Sequence, residues 1–250
     1  MIGGIFGGIY ASAGKKALLK AETRGRTDEQ AAVISYFNAE GGCMSGFFGF
    51  KDKDFDGHLS SVVGGLNIKA MALNKLCLDE SQVGEITPIM LDNYYYDKPR
   101  WLEQAVLPGS KGGSVMSTGS DAVGTYVKIG KDDVYRFSKY MMSCIFCSAE
   151  QIYYYSYRFD LTNLSTTEEA AELFYKDIDS VQVMTRVNET VKPNKGCLGF
   201  LQPPVYETYT VPTLTLTVGG ASFSCSMRPE HENQIHGLKN LIRDKKSQLG

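Results

Sequence analysis

The sequence has no surplus of positive charge. Lysine and arginine total 26 against 28 aspartates and glutamates, a formal net charge of -2. Proteins that coat DNA or RNA neutralise phosphates with a basic face, so nucleic acid is not an expected partner. Histidine is scarce as well, with three in 250 residues: His58, His231 and His236. None sits in an H-E-x-x-H motif, and neither G-x-S-x-G nor a dinucleotide-type G-x-G-x-x-G in strand–helix context occurs. His231 and His236 fall on a helix whose apolar stripe uses neither, so both are expected in solvent. The chain therefore reads as non-enzymatic, with no small-molecule substrate evident.

A dense cysteine framework is absent too. Six cysteines in 250 residues, at positions 43, 77, 144, 147, 197 and 225, are too sparse for a small secreted scaffold. Reduced thiols in a cytoplasm are the expectation. Cys144 and Cys147 make a C-x-x-C pair, but in a strand-like run residues three apart point to opposite faces. The pair is thus read as buried structural thiols and not as half of a zinc site. No uncharged run is long enough to span a bilayer. The N-terminal one ends at Lys15, giving about 14 residues or ~21 Å of helix against the ~30 Å required. It resembles a signal peptide at Ala11-Ser12-Ala13, yet no Lys or Arg precedes it, so a leader is not expected.

What the sequence does have is glycine, tyrosine and phenylalanine: 26, 15 and 12, against one tryptophan. Near the N-terminus small residues fall in rows at spacing four, Gly4, Gly8 and Ser12 among them. On a helix they form a stripe that lets another helix approach closely. Without a partner the glycines weaken the helix by roughly 0.8–1 kcal/mol each. The stripe is read as a contact surface against the chain itself, a second copy or a membrane surface.

Residues 27–40 predict a helix with a capping box at Thr27 and Gln30. A second helix is expected over about 66–77, and a short helical turn over 79–85. Between them Asp52-Lys-Asp-Phe-Asp-Gly matches the front half of an EF-hand loop, placing Asp52, Asp54 and Asp56 at ligand positions 1, 3 and 5. Position 12, where a bidentate glutamate belongs, is Val63. Calcium on Asp52, Asp54 and Asp56 is one reading; a solvated acidic turn is the other. Residues 108–124 are rich in Gly and Ser and read as a flexible linker.

From Tyr126 onward apolar residues alternate as in strands. Residues 135–147 and 151–161 read as long strands joined by Ser148-Ala-Glu-Gln151, with Ile152, Tyr154, Ser156, Arg158 and Asp160 on one face. After a polar stretch, strands are expected over 172–175 and 180–187. A hairpin then turns at Gly219-Gly220, after an insertion over 190–212. An amphipathic helix from Pro229 closes the chain, with Ile235, Leu238, Leu241 and Ile242 as its buried stripe.

Strands followed by one C-terminal helix, with the phrase Leu173-Phe-Tyr-Lys-Asp-Ile-Asp-Ser-Val181, resemble bacterial PH-like and GRAM-like domains over about residues 133–250. The N-terminal half is similar to parts of uncharacterised bacterial proteins. For residues 133–250 the resemblance implies a bent sheet or barrel capped by a C-terminal helix; with the helical N-terminal region (1–90) and the connecting segment (91–132) read from the residues themselves, the expected class is α+β. The resemblance also implies a binding platform for a protein partner. Phosphoinositide recognition is not expected, because the turn Ser148–Gln151 is not basic and Arg136, Lys139 and Arg158 are scattered. The alternatives are self-association or membrane-surface attachment through Gly4, Gly8 and Ser12.

Overall fold

A computed structural model describes residues 19–39, 50–79, 81, 87–95, 124–192 and 205–249. The Gly4, Gly8 and Ser12 stripe lies outside the described residues, as do most of the 79–85 turn and all but the last residue of the 108–124 linker.

Among the described residues, a helical turn over 19–22 is followed by α1 (Asp28–Asn38), α2 (Asp52–Gly65) and α3 (Ile68–Lys75). α1 starts as its sequence predicts. The Thr27 hydroxyl accepts the Gln30 N–H, and the Gln30 side chain accepts the Thr27 N–H. α2 corrects an expectation, because the Asp52–Gly57 segment is not a loop. Its carboxylates occupy the first turns of a helix, where the macrodipole favours negative charge. Asp54 accepts the Lys51 backbone N–H there.

Nine strands follow among the described residues: β1 (Ile89–Tyr94), β2 (Val127–Ile129), β3 (Tyr135–Phe137), β4 (Lys139–Cys147), β5 (Gln151–Asp160), β6 (Thr166–Phe174), β7 (Ile178–Lys192), β8 (Val205–Val218) and β9 (Ala221–Ser226). They pair as β1-β4-β5-β6, β7-β8-β9 and the small hairpin β2-β3. All pairings are antiparallel. Helix α4 (Glu232–Leu249) closes the chain after a 3-10 turn at Pro229–His231. The class is α+β with a C-terminal helix, and the sheets stay separate and do not close into a barrel.

The four-stranded sheet is a middle layer. From β4, Met141, Ile145 and Cys147 face the second sheet and α4, joining Leu214, Leu216 and Met227 and the helix residues Ile235, Leu238 and Ile242. From the same strand, Tyr140, Met142, Cys144 and Phe146 face the helical layer, with Val33, Phe55, Ile68 and Leu73. Burial on both faces explains the nearly unbroken apolar run of β4, which a sheet with one wet face would not show.

Three strand expectations are corrected. The predicted strand over 135–147 is two strands, split at Ser138. That residue turns the chain from hairpin to sheet: its N–H donates to the Tyr126 carbonyl, and its own carbonyl accepts the Leu161 N–H. The polar stretch before Glu172 is strand from Thr166, paired with β5 at the sheet edge, where its glutamates meet water. The 190–212 insertion is strand at both ends, since β7 runs to Lys192 and β8 begins at Val205. At Gly219-Gly220 the expected hairpin forms, and φ of 55° and 84° suits a turn that needs two left-handed residues.

Candidate functional site

β8 outruns its neighbour on one side. Along β7 it is paired from Val205 to Val218, but along β9 only from Thr213 to Val218. Pro212 stands at the boundary. In an antiparallel strand a residue's N–H and C=O point the same way and neighbours alternate. The Pro212 carbonyl accepts the Met227 N–H at 3.0 Å, so its side of the strand is the β9 side. A proline there leaves the Met227 carbonyl without its ladder donor. The Asn93 side chain supplies one instead, at 2.6 Å.

Beyond Pro212 a cleft of about 590 Å³ opens between β8, the tip of β1, the strand β3 and the turn before α4. Five aromatic side chains line it, Tyr94, Tyr135, Phe137, Tyr140 and Tyr209, beside Leu59, Val211 and two prolines. Tyr209 packs edge-on to Phe137, with ring centroids 4.9 Å apart, and Tyr94 lies 5.1 Å from Phe137. The Tyr135 hydroxyl donates to the Thr208 carbonyl at 3.3 Å. Burial raises Tyr94 and Tyr140 well above the usual phenol range, the Asp92 carboxylate adding to the effect at Tyr140. The Tyr140 hydroxyl keeps its proton and donates it to Asp92.

One end of the cleft carries a fixed charge array. Arg228 contacts Asp92 through a charge-assisted hydrogen bond and the Tyr140 hydroxyl at 2.7 Å. Tyr140 in turn donates to Asp92. The Arg228 guanidinium also reaches Glu230 at 3.3 Å. His231 closes the array: its Nδ1 accepts the Arg228 backbone N–H at 3.2 Å, and its Nε2 lies 3.6 Å from Asp92. The expectation of a solvent-facing His231 is thereby corrected. The 3-10 turn before α4 folds it inward, whereas His236 is 69% exposed, as the sequence implies.

The carboxylates singled out for calcium are held elsewhere. Asp52 accepts the Tyr36 hydroxyl and the Lys131 N–H, both at 2.8 Å. Asp54 caps its own helix. Asp56 grips Arg136 through both oxygens at 2.7 Å, and Asp132 holds the same guanidinium from the opposite side. On a helix Asp52 and Asp56 share a face while Asp54 points away, and each is held by a different partner, so the three do not converge. Among the described residues no group of three His, Cys, Asp or Glu is placed to hold a metal ion. Cys144 and Cys147 are buried free thiols in different clusters on opposite faces of β4, as expected. No described helix is long and apolar enough to cross a membrane.

Sequence reasoning did not find the cleft. Asp92 and Arg228 are 136 positions apart and belong to no local motif. The one available signal is the tyrosine excess, which a preference for half-buried strands explains equally well. Set against protein-family models, curated proteins and solved structures, the chain matches none.

Proposed function

We propose that the protein is a non-enzymatic interaction protein that uses its PH-like C-terminal half as a binding platform and the aromatic cleft as the binding surface. The observation that carries this reading is the cleft itself: a concave, mostly apolar surface with five aromatic side chains and a hydrogen-bonded charge array at one end. Binding sites combine these two features, apolar walls for affinity and a few fixed polar groups for orientation. The order of strands then one C-terminal helix supports the PH-like reading. Arg228, Asp92 and Tyr140 satisfy one another, which suits a fixed recognition element better than a reacting group.

Titration with the uncharged apolar fluorophore Nile red tests the site. Saturable binding to one site is expected, weakened about tenfold in Tyr135→Ala, which removes one aromatic wall. A folded Tyr135→Ala protein that binds the dye as the parent does would overturn the assignment of the cleft.

A further inference from the structure

We infer that the stretch of β8 from Thr208 to Thr210, which no described strand pairs on the β9 side, receives an extended peptide as an added β-strand in the line of β9. This rests on the reading of the cleft as a binding surface and specifies its occupant.

The alternation along β8 is fixed at two points. The Pro212 carbonyl faces the β9 side, where Met227 meets it. Counting back by two, Thr210 and Thr208 present their N–H and C=O to that same side. The Thr208 carbonyl confirms the count, because the Tyr135 hydroxyl reaches it from within the cleft. β9 ends at Ser226 and the chain turns away into Pro229–His231, so no described strand covers Thr208 and Thr210. With the Pro212 carbonyl taken by Met227 and the Thr208 carbonyl by Tyr135, the cleft holds the Thr208 N–H and both backbone groups of Thr210 for a partner, about 7 Å of strand or roughly three residues.

Open strand edges pair with other chains, and peptide-binding domains exploit this by adding a strand whose alternate side chains enter pockets. β7 is also an edge of this sheet, but the cleft lies against β8. Here the pockets are the rings of Tyr94, Tyr135 and Phe137, which suit apolar or aromatic side chains. At the Pro212 end, Asp92 and Glu230 set two negative charges against the one guanidinium of Arg228, while the His231 imidazole beside Asp92 is positive only when protonated. The surplus is acidic, so a lysine or arginine of the peptide belongs at that end. The occupant is therefore an extended segment with alternating apolar residues and a basic residue at one end.

Thr210→Pro is the diagnostic variant. It deletes one outward N–H, and Pro212 shows that β8 accepts proline at this phase of the strand. A random linear peptide library displayed on phage is panned against the folded protein, and the most enriched peptide is resynthesised. Its affinity is measured by fluorescence anisotropy against the parent protein, Thr210→Pro and Tyr135→Ala, with melting temperatures checked for each. The expected result is a loss of about tenfold or more in Thr210→Pro at unchanged melting temperature. Methylating alternate peptide amides should give the same loss, while methylating the intervening ones should have little effect. Binding lost in Tyr135→Ala but indifferent to amide methylation overturns strand addition and leaves the cleft as the platform. If no peptide is enriched while the fluorophore still binds, strand addition is likewise overturned. Failure of fluorophore and peptide alike overturns both readings. Should Thr210→Pro misfold, the methylated peptides decide alone.

Discussion

The Asn93 amide donates to the Met227 carbonyl across 134 positions of sequence, filling the place of the hydrogen bond that Pro212 cannot make. β1 is thereby tied to the end of β9 at the point where the cleft begins. Asn93 is itself fixed, because its Oδ1 accepts the Tyr94 N–H at 2.7 Å.

This relationship predicts a rescue. Asn93→Ala orphans the Met227 carbonyl and should destabilise the protein by about 1–3 kcal/mol. Pro212→Ala restores a backbone donor to the ladder at the same carbonyl. In the Asn93→Ala background it should recover part of the loss, while in the parent it should bring little gain. Urea unfolding of the four proteins in a double-mutant cycle measures the coupling. Strict additivity of the two substitutions would show that the two donors do not serve the same acceptor.

The Arg136 guanidinium is 3% exposed and held between Asp56 and Asp132, tying α2 to the β2–β3 hairpin. Hydrogen bonds from Arg136 are the main reason the Asp132 carboxyl sits well below the usual carboxylate range. A depressed folded value means that the contribution is complete above the unfolded value near 4 and is lost as pH falls through the folded one. Stability should therefore decline on acidification below about pH 4. Asp132→Asn should flatten that decline. Because Asp132 is half exposed, water screens the pair and the effect at neutral pH should stay near 1 kcal/mol. Arg136→Met, which leaves Asp56 and Asp132 without their cation, should cost more. Urea midpoints between pH 2.5 and pH 7 test the ranking, and an unaltered acid slope in Asp132→Asn would refute the linkage.

How far the sequence discloses this fold depends on the range of the forces involved. The Thr27–Gln30 capping box, the two-glycine hairpin and the Ile235, Leu238 and Ile242 stripe are set by neighbours a few residues apart, and each was legible. The acidic hexapeptide at Asp52 was misread because the same residues favour a cation loop and a helix N-terminus. The choice falls to Phe55, fully buried and stacked on Tyr36 at 5.0 Å. The polar run from Thr166 gives no apolar alternation, since it is a strand only by virtue of pairing with β5. The cleft is illegible for the same reason. Asn93, Tyr135, Tyr209 and Arg228 meet there only after two sheets have packed, and nothing local marks any of them.

The buried thiols make a prediction at the other end of the pH scale. Burial pushes Cys144 up to about 12, Cys147 to about 11 and Cys225 to about 12. An unfolded chain releases these protons at ordinary thiol values near 8.5. Raised folded values therefore stabilise the fold fully below about pH 8.5, and the stabilisation drains away as pH climbs toward 11 and 12. Between these limits each thiol removes up to about 1.4 kcal/mol per pH unit. Urea midpoints should fall steeply above about pH 9, and less steeply in Cys147→Ala once its lower starting stability is subtracted. Native-state alkylation followed by peptide mass mapping gives an independent reading. Exposed Cys77 should be labelled, while Cys144, Cys147 and Cys225 stay protected until denaturant is added. Rapid labelling of Cys144 or Cys147 in the folded protein would contradict the burial of β4 on both faces, and with it the three-layer arrangement that shapes the cleft.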